Sequence, residues 1–359
     1  MTSTAEKFFS LLRYSLGEQQ QPPVISDDEW EDINVMAAEQ SLTGVLCQGV
    51  MRLSAVTPLP DEVRLAWFLQ TDQIAEANKR LNVACFKVAK RLRKDGYDCC
   101  ILKGQGNALM YPNPFARIPG DIDIWTVGDI RSIIELGKKS NPEARPVYHH
   151  IDFAPIGDIP VEVHYRPGFM HNLIHNRRMQ RWFGQQAAEQ CAHQVELPEG
   201  AGSVPVPTDA FNRIFQMAHI SKHILHEGIG LRQIVDYYFL LKKGFTQEER
   251  RRDEQLLRRF GLYGVATAIM YVLQEALGAP KQLMLVPADE RKGRFLLDEM
   301  LLAGNFGQFD KRLANSHSQL SRNVQRLRRD LRFLSYFPSE CLWEPVFRWY
   351  HFFWRLRFR

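Results

Sequence analysis

The 359-residue sequence has few of the features that mark secreted, zinc-finger or membrane-spanning proteins. Its six cysteines form no CxxC pair, and the adjacent Cys99 and Cys100 are poorly placed for a disulfide, so we expect reduced thiols. The most apolar segment, 262–279, is shorter than the roughly 20 residues that a membrane-spanning helix needs. The N-terminus has no basic stretch followed by a long apolar one, so no signal peptide is predicted. These absences predict a cytoplasmic protein without a membrane span.

An excess of one charge is also missing. The formal net charge is +5, which permits an anionic small molecule or a nucleic acid as ligand without requiring either. The sequence shows no internal repeat and no low-complexity segment. With 45% hydrophobic residues, the chain is long enough to bury a sizeable core and to form more than one domain.

Hydrophobic periodicity divides the sequence into three parts. Helical spacing of apolar residues dominates 1–95, strand-like alternation with short turns dominates 96–207, and helical spacing returns over 208–359. We therefore predict an N-terminal helical segment, an α/β core and a C-terminal helical domain. The predicted fold class is α+β, with a small mixed sheet flanked by helices on both sides.

Two aspartates stand one residue apart in the strand-like stretch "GDIDIWTV". Side chains at alternate positions of a strand share a face, so Asp121 and Asp123 are expected side by side, with Ile122 and Ile124 on the opposite, apolar face. Two carboxylates at this spacing repel each other unless a cation lies between them or one is protonated. Mg²⁺ prefers oxygen ligands and leaves positions for water and substrate phosphates, so the pair predicts a magnesium site.

A third carboxylate and a lysine–glycine turn accompany the pair. Glu162 lies in the predicted strand "IPVEVHYRP", and antiparallel pairing with the aspartate strand would place it beside the aspartate pair; Asp152 is the alternative. Two-metal phosphoryl transfer commonly uses such a third carboxylate. Lys103 and Gly104 end the preceding strand, where a glycine lets backbone amides approach a phosphate and a lysine adds positive charge.

These stretches together resemble the DNA-polymerase-β-like nucleotidyltransferase superfamily, and more closely its group of bacterial nucleotidyltransferase family proteins. The matching stretches are "LKGQGNALMYPNPFARIPGDIDIW", "VEVHYRP" and "HISKHILHEGIGLRQIVDYYFLL". The resemblance implies a nucleotidyltransferase core with the following site residues: Asp121, Asp123 and Glu162 as the catalytic, metal-binding carboxylates, and Lys103, Gly104, Gly120 and Arg117 toward the nucleotide. Arg117 either binds phosphate or screens the carboxylates. Where the wider superfamily usually has Gly-Gly or Gly-Ser at the turn, this chain has Lys-Gly-Gln-Gly.

The resemblance implies an activity and its cofactors. We expect transfer of a nucleoside monophosphate from an NTP, with ATP as the expected donor, to a hydroxyl or phosphate on a small molecule, sugar or peptide. Two Mg²⁺ ions would serve as cofactors. The alternative is a catalytically degenerate nucleotide-binding or regulatory partner. The sequence indicates neither the acceptor, the base preference nor the oligomeric state.

Three histidines follow one another at helical spacing in the segment after the core. His219, His223 and His226 would share a helix face, a spacing that suits zinc, but no zinc-protease carboxylate pattern follows. We expect a structural or substrate-facing role for His219 and His223, with Arg232 and Asp236 of the next helix joining them through a salt bridge. His164, on the strand of Glu162, is predicted to point to the opposite face as a packed histidine.

Arginines and aromatics are concentrated from residue 323 onward. Such a composition suits nucleic-acid binding, in which arginines contact phosphates and aromatics stack on bases. At helical spacing, however, Trp343, Phe347 and Tyr350 form a stripe that predicts a packed helix with solvated arginines. Nucleic acid is therefore a secondary expectation.

Overall fold

The computed structural model describes residues 3–310, 312 and 319–358. Four α-helices precede the first strand, as the apolar spacing predicts. Glycine ends the longest of them, since Gly96 directly after it has a φ of +86°. These helices are α1 (Ser3–Leu16), α2 (Trp30–Glu39), α3 (Thr43–Ser54) and α4 (Asp61–Lys94).

A four-stranded mixed sheet follows the helical segment. Its strands are β1 (Asp98–Leu102), β2 (Ile122–Val127), β3 (His150–Ile156) and β4 (Ile159–His164), in the spatial order β1-β2-β4-β3. The helices α5 (Gly104–Ala108) and α6 (Ile130–Ser140) connect β1 to β2 and β2 to β3. β2 pairs antiparallel with β1, and β3 pairs antiparallel with β4.

The predicted antiparallel pairing of the strands that carry Asp123 and Glu162 is wrong, because β2 and β4 are parallel. The chain between them contains α6 and the whole of β3. The tight turn at Gly157, whose φ is +65°, reverses β3 into β4, so β4 runs in the direction of β2. Parallel pairing still places Asp123 directly opposite Glu162.

The sheet has one apolar face and one face that carries polar groups. Ile122 and Ile124 of β2 lie in a buried cluster with the apolar side of α4 and with Ile133 of α6, as the alternation predicts. Asp123 and Trp125 point to the other face, where Trp125 stacks on Phe211. Burial of the isoleucines anchors the strand, at about 1.5–3 kcal/mol for each side chain.

Helices complete the chain after the sheet. α7 (Leu173–Ala192) leads into a two-stranded antiparallel hairpin, β5 (Gln194–Leu197) and β6 (Gly202–Pro205). The remaining described helices are α8 (Asp209–His226), α9 (Leu231–Lys242), α10 (Gln247–Arg259), α11 (Tyr263–Leu277), α12 (Glu290–Ala303), α13 (Gln319–Leu334) and α14 (Pro338–Leu356). The architecture is therefore α+β, as the sequence predicts.

A second, larger core joins the two ends of the chain. Phe8 and Phe9 of α1 are buried in the same apolar cluster as Ile269 and Leu273 of α11. The boundaries at 95/96 and 207/208 stay a prediction, since this core draws on helices from both sides of the sheet. Within the described ranges, every helix falls short of the length and apolar character needed to cross a membrane.

The aromatic stripe predicted for the C-terminal segment is only partly correct. Phe347 is buried, but Trp343 is half-buried and Tyr350 is exposed. The inward face of α14 instead uses Phe347 and Trp354, both of which pack against Tyr148. Trp354 lies two helical turns beyond Phe347 on the same face, and Tyr350 between them also contacts Tyr148 but stays exposed.

Candidate active site

Asp123 is the centre of a polar cluster on the second face of the sheet. Its register partner on β1 is Leu102, and its partner on β4 is Glu162. The carboxylate is 5% exposed and contacts two cationic groups: Lys103 Nζ lies 2.8 Å from one oxygen and His164 Nε2 lies 2.8 Å from the other. Burial disfavours the charged form, but Lys103 and His164 hold the pKa of Asp123 well below its usual range.

The prediction that His164 points away from Glu162 is wrong. Residues two apart on a strand share a face, and the His164 Nε2 atom lies 3.2 Å from Glu162 Oε2 as well as beside Asp123. Burial would lower the pKa of His164, but hydrogen bonds to the two carboxylates raise it above its ordinary value. Burial likewise opposes ionisation of Glu162, whereas the hydrogen bond from His164 lowers its pKa. The imidazole thus links the carboxylates of β2 and β4.

Asp121 stands just before β2 and is exposed, so the predicted aspartate pair has one buried and one open member. The negative charge of Asp123 is the main reason that the pKa of Asp121 is raised to about 6. A carboxyl group with this pKa holds a proton more readily than usual, and a divalent cation would relieve the same repulsion.

The turn between β1 and α5 presents the lysine side chain to the cluster. Lys103 has a φ of +52°, a left-handed conformation that is unusual for a residue with a side chain, and Gly104 follows with a φ of +41°. Lys103 Nζ also lies 3.5 Å from His219 Nε2. Gly104 and Gly120 line a small cavity of about 40 Å³ that the side chains of Lys103 and Asp123 also border.

Arg117 is paired with a carboxylate outside the aspartate pair, and its expected role toward the nucleotide stays a prediction. Its guanidinium forms a two-point ion pair with Asp236, with Nε–Oδ1 and Nη2–Oδ2 distances of 2.8 Å. Tyr111 and Asn107 complete the contacts of the same carboxylate, at 2.6 and 3.2 Å. Burial opposes ionisation of Asp236, but Arg117 keeps its pKa below the usual range. Asp236 is therefore held by the arginine rather than by the histidine helix.

The remaining predicted residues lie on α8 and α9. His219 faces Lys103, as described, whereas His223 Nδ1 donates to Glu227 Oε2 at 3.2 Å. Arg232 donates to the carbonyl of Ile118, in the loop before the aspartates, and the predicted salt bridge from Arg232 and Asp236 to these histidines stays a prediction. His219, His223 and His226 are not among the close groups of possible metal ligands found in the described residues.

Several functional side chains were missed by sequence reasoning. His149 directly precedes β3 and His150 begins it, and His150 Nδ1 lies 3.1 Å from Glu162 Oε2. His149 Nε2 lies 2.9 Å from Lys222 Nζ of α8. Burial lowers the pKa of His150 to about 4, so its ring is neutral near pH 7. The available signal was the spacing of His150 and Asp152, which repeats the alternation of Asp121 and Asp123.

A large cavity of about 980 Å³ opens over this cluster. One end holds the carboxylates and histidines of the sheet. The other end reaches the C-terminal helix, where Phe347 stacks on Phe169 with a centroid distance of 4.9 Å and Trp349 and Phe352 line the wall. A substrate of moderate size can therefore contact an aromatic surface and the carboxylates simultaneously.

Comparisons with known proteins agree with this arrangement. Residues 26–277 match a family model described as an uncharacterised nucleotidyltransferase. The chain belongs to this nucleotidyltransferase family. The match includes the sheet, Lys103, both aspartates and Glu162, and it ends at the end of α11.

The other comparisons add little. An antigenic nucleotidyltransferase-like protein from Paracoccidioides brasiliensis is similar at 16% identity, over 55% of this chain and 92% of that chain, with a TM-score of 0.32. A likeness at this level carries no weight for the site. No curated protein matches the chain significantly.

Proposed function

We propose that the chain is a Mg²⁺-dependent nucleotidyltransferase that moves a nucleoside monophosphate from an NTP, with ATP the expected donor, to a hydroxyl or phosphate acceptor on a small molecule, sugar or peptide. The observation that carries the proposal is the register of β2 and β4, which sets Glu162 directly opposite Asp123 at the floor of the large cavity. Family membership supports nucleotidyl transfer in general. The chemistry of the site supports the finer assignment.

The donor set fits a divalent cation. Asp123, Glu162 and His164 each offer a ligand atom, and these atoms lie within 4.8 Å of one another. The raised pKa of Asp121 reflects a local excess of negative charge. Asp121, Asp123 and Glu162 would hold the metal, which when bound neutralises phosphate charge and acidifies the attacking hydroxyl.

Each side chain then has a separate part in the reaction. Glu162 is partly exposed, with 28% of its side chain accessible, so it can accept the proton of an incoming hydroxyl at Oε1 or Oε2. Lys103 can turn its ammonium from Asp123 toward a phosphate oxygen, because both groups border the cavity. His164 keeps Asp123 and Glu162 in one orientation. When the Lys103 ammonium moves from the Asp123 carboxylate to a phosphate oxygen, it holds the NTP donor beside the acceptor hydroxyl.

Calorimetry with Mg²⁺ and each NTP tests the binding part of the proposal. We expect wild-type protein to bind a nucleotide only with Mg²⁺, and the double variant Asp121→Asn/Asp123→Asn to lose that binding. Asp158→Asn is the matched control, because Asp158 is exposed at the β3–β4 turn and pairs only loosely with Arg80 at 3.6 Å. Absence of Mg²⁺-dependent binding of any NTP to wild-type protein would contradict the proposal.

Labelled NTPs test the transfer itself. Incubation with a cell extract, followed by mass spectrometry, should reveal a molecule that gains one nucleoside monophosphate. The same incubation with the double variant is the control. The mass of the labelled product also identifies the acceptor.

A degenerate nucleotide-binding or regulatory protein is the second candidate. One observation favours it: both oxygens of Asp123 already contact side chains of the protein itself, the Lys103 ammonium and the His164 imidazole. Nucleotide binding that persists without Mg²⁺, together with no labelled product, would support this candidate. We also propose a cytoplasmic location, since all six cysteines, each within the described residues, are free thiols.

A further inference from the structure

We propose that His150, Asp152 and Glu162 form a second cation position of mixed imidazole and carboxylate ligands, which selects a divalent first-row transition ion such as Zn²⁺ over Mg²⁺. This position deepens the proposed function, and it rests on that function where it shares Glu162 with the Asp121–Asp123 site. The two positions differ in their ligands, because Asp121, Asp123 and Glu162 would hold Mg²⁺ at the first, with His164 beside them, whereas the second takes the imidazole of His150 as one of its ligands.

Strand register brings the three ligands together. On the antiparallel β3–β4 pair, Asp152 is the direct partner of Glu162, and His150 is the direct partner of His164. All four side chains therefore project from the same face of the sheet. This placement is fixed by backbone pairing of neighbouring strands, so it does not depend on a loop.

The side chains converge within the reach of one ion. His150 Nδ1 lies 3.1 Å from Glu162 Oε2, and His150 Nε2 lies 3.5 Å from Asp152 Oδ1. One ligand atom from each of the three residues lies within 4.8 Å of the other two. Three protein ligands with an open position for water are the usual set of a catalytic zinc site.

The proposed site has one largely buried ligand and one that is open to solvent. The His150 side chain is only 16% exposed, whereas that of Asp152 is 57% exposed and opens to solvent. Two further imidazoles are adjacent, and His149, His150 and His164 form a close ligand group of their own. The Nδ1 atoms of His149 and His164 are buried and have no hydrogen-bond partner among the described residues. The cluster thus has more imidazole nitrogen than its internal contacts use.

The ligand types determine which ion is preferred. Mg²⁺ takes oxygen ligands and gives up its water reluctantly, whereas imidazole favours zinc and its neighbours in the first transition row. Glu162 belongs to both sets, so it can bridge the two positions with its two oxygens. A bridging carboxylate would keep a transition ion close to the phosphates held at the Asp121–Asp123 site.

Calorimetric titration with Zn²⁺ in excess Mg²⁺ tests the inference on the full chain. We expect wild-type protein to retain a Zn²⁺ site that excess Mg²⁺ does not displace. His150→Ala and Asp152→Asn should each weaken this binding by about tenfold or more. His193→Gln is the matched control, because His193 is exposed and is not among the residues that line this cavity, and the variant should bind Zn²⁺ as wild type does.

Substitution with Co²⁺ gives a second readout, since its visible absorption bands report nitrogen ligation. These bands should be present in wild-type protein and lost in His150→Ala. Asp152→Asn preserves the shape of an exposed residue, so it reports on binding even if the alanine variant misfolds. Equal Zn²⁺ affinity of wild type and both variants, or complete displacement by Mg²⁺, would overturn the inference.

The experiment separates this inference from the proposed function. Asp121→Asn/Asp123→Asn should lose Mg²⁺-dependent nucleotide binding and keep the Zn²⁺ site. His150→Ala should lose the Zn²⁺ site and retain Mg²⁺-dependent nucleotide binding. If wild-type protein lacks only Mg²⁺-dependent nucleotide binding, or only Zn²⁺ binding, the missing one identifies the proposal that has failed.

Discussion

The carboxylates of Asp236 and Asp123 border the same small cavity, and both are almost fully buried. Asp236 is held by a two-point pair with Arg117 and by hydrogen bonds from Tyr111 and Asn107. Asp123 has only single contacts, from a flexible lysine and a histidine, and both partners border the large cavity. An aspartate fixed by a planar guanidinium supports the fold, whereas one with exchangeable partners is available to a ligand.

Removing the principal cation from each aspartate should produce the largest contrast in stability. Arg117→Met is expected to lower the free energy of unfolding by about 3–5 kcal/mol, because it removes the guanidinium paired with the buried Asp236 carboxylate and leaves only the weaker attraction of Arg232 among the positive charges that lower the pKa of Asp236. Lys103→Met should cost about 1–2 kcal/mol, since His164 stays paired with Asp123 and the cavity admits water. Urea unfolding of both variants measures the difference. Similar losses in the two variants would remove the distinction between the aspartates.

Neutralising each aspartate should separate ligand binding from stability. Asp123→Asn is expected to weaken Mg²⁺-dependent nucleotide binding by about 100-fold, or ~2.7 kcal/mol, because it removes a metal-binding charge. Asp236→Asn should lower stability but leave the nucleotide affinity of the folded protein within about threefold of wild type. Calorimetry below the unfolding transition provides both affinities. If Asp236→Asn weakens binding as much as Asp123→Asn, the Arg117 pair belongs to the ligand site.

Removing one hydroxyl should sharpen the comparison further. Tyr111→Phe deletes the 2.6 Å hydrogen bond to Asp236 and is expected to cost about 1–2 kcal/mol of unfolding free energy. It should not change Mg²⁺-dependent nucleotide binding, because Tyr111 contacts Asp236 and Phe239 rather than the carboxylates proposed to hold the metal. Thermal unfolding and calorimetry on the same sample test both statements. A drop in affinity without a loss of stability would count against this assignment.

The smallest expected effect is the pH dependence that Asp121 adds. Its folded-state pKa of about 6 lies above the unfolded value, so the folded protein binds the proton more tightly. The associated stability is present below about pH 4 and is lost as pH rises through about 6. Because Asp121 is exposed, solvent screening reduces the effect to about 1 kcal/mol.

Comparison of wild type with Asp121→Asn from pH 4 to 7.5 measures this contribution, since the variant lacks the titrating group. The variant should be the more stable of the two above pH 6, and the difference should shrink toward pH 4. The free energies of unfolding come from urea titrations at each pH. An unchanged difference across this range would show that Asp121 has an ordinary pKa.

Local alternation made part of this site predictable. In "GDIDIW", the spacing alone assigns Ile122 and Ile124 to one face and Asp123 to the other, and the structure confirms this separation. The same rule, correctly applied to "EVH", puts Glu162 and His164 on one face. The wrong prediction that His164 points away from Glu162 was therefore a miscount of strand positions, since the sequence contains the information.

Other features depend on contacts that no local pattern contains. Arg117 and Asp236 are 119 positions apart, and nothing near either residue indicates the other. The direction of β4 relative to β2 depends on whether β3 forms a hairpin beside it, which exchanges antiparallel for parallel pairing. The strand register then determines which side chains are neighbours. Asp152 therefore lies beside Glu162 as a further candidate ligand, instead of replacing it as the third carboxylate.

The left-handed backbone at Lys103 has a consequence for engineering. A side chain in that conformation costs of the order of 1–3 kcal/mol, which glycine would avoid. Lys103→Gly should therefore be more stable than Lys103→Met, although both lack the ammonium. Directed evolution that rewards heat resistance alone would favour glycine at this turn. Such a screen would select against the charge that faces Asp123 unless turnover is scored in every round.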